Sequence, residues 1–240
     1  METSVPSSVP PSGDVLAPAG SSPTRSLPLA LALFSAPWGF VVANGAYAWA
    51  TRAGGGDGNG AETLALAAAH PGLYRLGTVA AMLGSLLMVP AVLGAKRLVA
   101  DRSPKLGFAG AVLMAGGYIC YFGIALSGIT DLAMAERGGP IADYAAVLDS
   151  SQSDASVLWV FLLFVLGNLV GTLLLGLALL RSRRAPLWAA AAVLAWPPLH
   201  VTGLVVGSEW FEVAGAVLQG FGLAVTGSRL LAAAGPAPRS

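Results

Sequence analysis

The chain has 240 residues, of which 55% are hydrophobic and only 10% charged, with a formal net charge of +1. Soluble domains carry about 25% charged residues, so a water-facing surface over most of this chain is excluded. No long basic block is present, which argues against nucleic acid as a partner.

Residues 1–26 are rich in Ser, Pro and Gly and read as a disordered tail. Six uncharged runs follow, at 27–50, 76–95, 106–130, 155–180, 185–208 and 213–228. Trp210 and Phe211 extend the last to 210–228 across Glu212. Each is long enough, or nearly so, to cross roughly 30 Å of hydrocarbon. Alternating strand patterning is absent. The expected fold is therefore all-α: a polytopic membrane helix bundle with six transmembrane helices over 27–232, and a short tail at 233–240. Ala46-Tyr47-Ala48 resembles a signal-peptide cleavage site, but the apolar run before it is too long for a signal core.

The basic residues set the threading. With the N-terminus in the cytoplasm, only Arg52, Arg75 and Arg137 of the thirteen Lys and Arg fall outside. Both termini are therefore expected in the cytoplasm. The outer connections are 51–72 and 131–154. The first holds GGGDGNG and then ETLALAAAH, a short apolar helix candidate stopped by Pro71. The second is divided by Gly138-Gly139-Pro140 into two short helices at most. Both should lie on the membrane surface or cap the bundle.

Lipid removes the hydrophobic drive between helices, so small residues and polar contacts must hold them together. Gly167/Gly171, Ala80/Gly84 and Ala216/Gly220 have the spacing for such seams. They read as contacts within the chain before contacts with a second copy, although a homo-oligomer through these faces stays open. Trp49, Trp159, Trp188 and Trp210 near the span ends fit interfacial anchoring. Trp38 and Trp196 lie deeper.

Few residues are placed at a cost. The fifth run contains AWPPLHVTG, where Pro197 and Pro198 remove backbone donors and disrupt the preceding turn. This reads as a kink, and as a hinge in the functional alternative. His200 follows one turn on. Glu212 lies near the start of the sixth helix, with Gln219 two turns deeper on the same face. Counting outward from a turn at Ser208, His200 and Glu212 differ in depth by roughly 6 Å, so a water-bridged contact is expected before a direct one.

Asn44, Arg75, Tyr118, Tyr121 and Asn168 are the other polar groups at comparable levels. Together, Asn44, Arg75, Tyr121, Asn168, His200, Glu212 and Gln219 define a candidate polar pocket facing outward. The plainer readings stand beside it. Glu212 would be wet or paired with Arg75, His200 would be a neutral bonded core ring, and the amides would be interhelical glue.

No catalytic residues, metal or cofactor are expected. The two histidines, His70 and His200, lack ligand spacing, and no GxSxG elbow or phosphate cradle occurs. A single cysteine, Cys120, excludes intrachain disulfides and CxxC chemistry, and reads as a small buried apolar residue.

HPGLYRLGTVAAMLGSLLMVPAVL, from His70 to Leu93, resembles a stretch of an uncharacterised family of six-helix bacterial integral membrane proteins carried as a domain of unknown function. Leu173 to His200 resembles the fourth and fifth helices of that family joined by a short basic turn. The resemblance covers helices 2 to 6. It implies a compact six-helix bundle in a bacterial cytoplasmic membrane and transfers no activity or functional residue. Three roles remain open: first a structural or regulatory membrane protein, next a small-solute transporter or permease, and third a membrane-embedded enzyme acting on lipid. The balance leans away from an enzyme. The lipid bilayer, and a small solute or lipid as ligand, are the expected partners.

Overall fold

The computed structural model describes residues 23–234. The regular structure among them is helical. In chain order it consists of α1 (Pro23–Thr51), α2 (Gly60–Ala69), α3 (Pro71–Val99), α4 (Pro104–Arg137), α5 (Ile141–Ser153), α6 (Ala155–Leu166), a π turn (Gly167–Gly171), α7 (Thr172–Ser182), α8 (Leu187–Leu194), α9 (Trp196–Val206) and α10 (Trp210–Ala234). Six segments are long and apolar enough to cross a membrane: Ser26–Thr51, Pro71–Val99, Pro104–Arg137, Ala155–Ser182, Leu187–Val206 and Trp210–Ala234. They correspond to the six runs in the sequence. The protein is an all-α membrane helix bundle.

The helices overshoot the apolar runs at several ends. α1 begins at Pro23, where a fixed φ and a missing N–H suit a first helical turn. The tail expected over 1–26 lies outside the described residues up to position 22, and the one over 233–240 does so from position 235. At 34 residues, α4 is about 51 Å long, well beyond the hydrocarbon thickness. Its last two turns carry Asp131 and Glu136, so the span helix runs on into the segment the sequence assigned to an outer connection with short helices of its own.

The six spans form a closed ring in chain order. α1 packs against α3, α3 against α4, and α4 against α6, the π turn and α7. Next α7 packs on α8, α8 and α9 on α10, and α10 returns to α1. An even number of crossings leaves Pro23 and Ala234 at one end, here the basic end. The opposite, capped end bears α2 and α5, which pack on each other while α2 also packs on α4. The backbone N–H of Gly60 at the start of α2 donates to Asp149 Oδ1 of α5 at 2.7 Å. Asn59 caps α2 by accepting from the Glu62 N–H at 2.9 Å.

The seams follow the small residues. A Cβ at Gly167 would fall 2.3 Å from the Leu113 carbonyl oxygen, so α4 and the π turn approach backbone to backbone. Gly84 faces Phe40 and Ala36 of α1, and Gly220 faces Pro37 and Trp38. All three pairs of small residues are thus used inside the chain. The basic half is densely filled: Leu33, Val92, Ala95, Leu175, Leu179 and Val193 are fully buried. Trp49, Trp159, Trp188 and Trp210 are exposed on the outside of the ring, as anchors at span ends should be. Trp38 packs edge-on against Phe221 at 5.5 Å, and Trp196 is buried.

Candidate functional site

The double proline is accommodated by ending one helix and starting another. α8 stops at Leu194, and the Ala195 N–H donates to both the Ala191 and Val193 carbonyls. α9 then opens at Trp196, so Pro197 and Pro198 occupy a first turn where their missing N–H groups cost nothing. This break turns Trp196 inward. Its indole N–H donates to Asn168 Oδ1 at 2.9 Å, and Tyr118 Oη donates to the same oxygen at 3.0 Å. Asn168 itself sits in the π turn and is 4% exposed. GNLVG reads in sequence as a plain small-residue seam. An extra residue in the turn is what a hydrophobicity pattern does not reveal.

One turn beyond, the His200 ring stacks on Trp196, with centroids 5.4 Å apart. α9 ends at Gly207, whose φ of +69° closes the helix, and the Gly207 and Ser208 N–H groups both donate to the Gly203 carbonyl. The chain then reverses into α10. A Cβ at Gly203 would meet Glu212 Cγ at 3.3 Å. With no side chain there, the Glu212 stem lies against the α9 backbone and its carboxylate reaches along to His200. Glu212 Oε1 and His200 Nδ1 are 3.0 Å apart. The depth mismatch expected from sequence is therefore spanned directly. Nδ1 makes no aligned hydrogen bond at that distance, so the pair is a close contact.

Glu212 also lines a cavity of about 410 Å³ at the capped end. Its polar walls come from Asn44 and Tyr47 on α1, Asp57 in the α1–α2 connection, Tyr74 and Thr78 on α3, Tyr121 and Asp131 on α4, and Glu209 and Glu212 at the entry to α10. Four carboxylates line it, and among the described residues no Lys, Arg or His does. Tyr47 Oη donates to Asp57 Oδ1 at 2.7 Å, and Tyr74 Oη donates to Asp131 Oδ2 at 3.1 Å. Among the described residues, Asp131 Oδ1 and Asn44 Nδ2 find no hydrogen-bond partner, and both atoms are buried away from the open space. Asp131 is 7% exposed. In the turn before α10, burial pushes Glu209 up to about 7; repulsion by Glu212 and Asp57 adds to this, while His200 opposes it.

Of the seven residues expected to share a pocket, three line this cavity: Asn44, Tyr121 and Glu212. His200 stands behind Glu212. Asn168 belongs to the separate buried knot with Tyr118 and Trp196. Gln219 is buried within the bundle, with Nε2 unpartnered, and does not reach the cavity. Arg75 points away and pairs with Glu136 at 2.8 Å, both exposed. Glu212 thus pairs with His200 and not with Arg75.

The lining also includes Tyr47, Asp57, Tyr74, Asp131 and Glu209, which the sequence did not single out. For Asp131 a signal existed. Tyr121, Ile124, Gly128 and Asp131 repeat at helical spacing on one face, visible only once α4 is known to run past residue 130. Among the described residues no three His, Cys, Asp or Glu converge closely enough to hold a metal ion.

A family model described as a domain of unknown function (DUF4386) matches residues 38–203. The chain belongs to that family. The match begins within α1, earlier than the resemblance in sequence suggested, and ends at Gly203 within α9. For this DUF4386 protein it takes in Asn44, Tyr74, Tyr121, Asp131 and His200 and stops before Glu209 and Glu212. No curated protein and no solved structure matches the chain.

Proposed function

We propose that this protein is a carrier or permease of a bacterial cytoplasmic membrane that admits a small solute from the outer side into the cavity at the capped end. The observation that carries the reading is the cavity itself: about 410 Å³, lined by both polar and apolar side chains and extending to Glu212, with His200 directly behind. Pockets of this size suit small-molecule ligands. A purely structural role calls for His200 and Glu212 sealed and hydrogen-bonded. Instead Glu212 lines the cavity.

The excess of Lys and Arg at the basic end supports the orientation, with that end and both termini in the cytoplasm and the capped end outside. The break at Ala195, with Pro197 and Pro198 just beyond, is the candidate hinge: it uncouples α9, which carries His200, from α8.

Thiol accessibility tests this reading. In a Cys120→Ala background, single cysteines at 44, 131 and 212 should react with a membrane-impermeant maleimide added outside intact cells. Cysteines at 168 and 219 should stay protected. Protection at all five positions would remove the carrier reading.

A further inference from the structure

A groove of about 320 Å³ runs along the α3–α4 seam toward the capped end. Thr78 and Val79 of α3 and Gly128, Ile129, Leu132 and Ala133 of α4 line it, and Arg75 and Glu136 stand at its rim. Thr78 and Gly128 line the cavity as well, so their contact is the partition between the two spaces. A Cβ at Gly128 would fall 2.8 Å from Thr78 Oγ1, which shows how closely α3 and α4 meet there. The character of the groove changes along its length. Val79 and Ile129 are exposed apolar side chains within the runs 76–95 and 106–130. Arg75 sits just before the first run and Glu136 beyond the second. The groove therefore crosses from the hydrocarbon into the headgroup layer, which is the path a lipid takes.

The rim says which headgroup fits. Arg75 Nη2 donates to Glu136 Oε1 at 2.8 Å, and among the described residues neither side chain makes another hydrogen bond. A guanidinium carries five N–H donors and a carboxylate has two oxygens, so each ion keeps capacity for a further partner without breaking the pair. Both are exposed and reachable from the groove. The pair has no net charge. An anion alone is drawn to Arg75 and repelled by Glu136, and for a cation alone the reverse holds. A zwitterion with phosphate and ammonium side by side meets both ions at once. A primary ammonium offers N–H donors to the carboxylate, and a trimethylated one offers none.

We propose that the α3–α4 groove binds a membrane phospholipid with an ethanolamine headgroup, in the leaflet at the capped end. Its phosphate accepts from Arg75, its ammonium donates to Glu136, and the glycerol and upper acyl carbons lie along Val79, Ile129 and Leu132. The site lies outside the cavity, and its chemistry is independent of the carrier reading.

The full chain in detergent is titrated with phosphatidylethanolamine, phosphatidylcholine and phosphatidylglycerol of identical palmitoyl-oleoyl chains, and bound lipid is read by native mass spectrometry. Phosphatidylethanolamine should bind about fivefold or more tightly than the other two. Glu136→Gln should bring it down to the level of phosphatidylcholine and leave phosphatidylcholine unchanged. Arg75→Gln should weaken both, because both present a phosphate. Both residues are exposed, so these variants should fold, and thermal unfolding read by circular dichroism checks it. Ala133→Trp, at an exposed position in the groove, should weaken all three lipids by filling the apolar part. Equal binding of the three lipids by wild type overturns the assignment. So does an ethanolamine preference that survives in both Glu136→Gln and Arg75→Gln. A dimer that forms without lipid and is lost in Ala133→Trp would give the groove to a second copy, and would also overturn it. None of these results depends on the reactivity of cysteines at 44, 131 and 212, so the lipid site and the carrier reading fail separately.

Discussion

Two clusters of buried polar groups sit within a few turns of each other and are treated in opposite ways. In the knot around Asn168, two donors from different helices, Tyr118 Oη and Trp196 Nε1, converge on one carbonyl oxygen. Every group in that contact is matched, and α4, the π turn and α9 are tied together. Around the capped-end cavity, Asp131 Oδ1, Asn44 Nδ2 and His200 Nδ1 are left without hydrogen bonds. In a bundle without hydrophobic drive between helices, matched polar groups such as these tie helices together, and the polar groups around the cavity do so less.

The sharpest break of this contrast is Asn168→Leu. It strands two buried donors at once, and each unpaired group costs about 1–3 kcal/mol. Stability should fall by about 2–6 kcal/mol in total, measured by denaturant unfolding in detergent. Glu212→Gln should cost far less on the same scale, because its carboxylate makes a contact and no aligned bond. Similar losses from the two variants would erase the distinction between knot and cavity.

A smaller effect is expected from Gly203→Ala. The new Cβ would meet the Ser208 carbonyl oxygen at 3.1 Å and Glu212 Cγ at 3.3 Å. Overpacking of this kind costs about 1 kcal/mol or somewhat more. In a Glu212→Ala background the Cγ is gone, so part of that cost should disappear. A double-mutant cycle measures the difference. Strict additivity would mean that Gly203 does not provide the path by which Glu212 reaches His200.

The six crossings, the capping connections and the inward small-residue seams were legible because they depend on run length and residue size. Those properties are local. The helix break at AWPPLH was legible for the same reason, since proline chemistry acts within one turn. The cavity was legible only in part. Asn44, Tyr121 and Glu212 could be picked out because a polar group inside an apolar run is conspicuous. Asp131 and Tyr74 could not, because each lies near a run boundary, where polar residues are ordinary. Whether α4 continues past residue 130 is decided by its packing against α2 at the capped end, a non-local matter. Arg75 shows the converse error: conspicuous by position, it turns outward to Glu136. The direct His200–Glu212 contact escaped a count of helical rise because rise ignores what a glycine allows a neighbouring side chain to do.

The mildest effect concerns Glu209, and its sign can be worked out. Its ordinary value is 4.5, and in the folded chain it is raised to about 7, first by burial and then by Glu212 and Asp57. The folded state thus holds this proton more tightly than the unfolded state does. That preference favours folding fully below the ordinary value and is lost as pH rises through about 7. Wild-type protein should therefore lose thermal stability between about pH 5 and about pH 8 relative to Glu209→Gln, which cannot titrate there. The group is partly solvated, so the difference in melting temperature should be small. His200 faces the same carboxylate, so the comparison is repeated in a His200→Gln background, where the Glu209-dependent slope should persist.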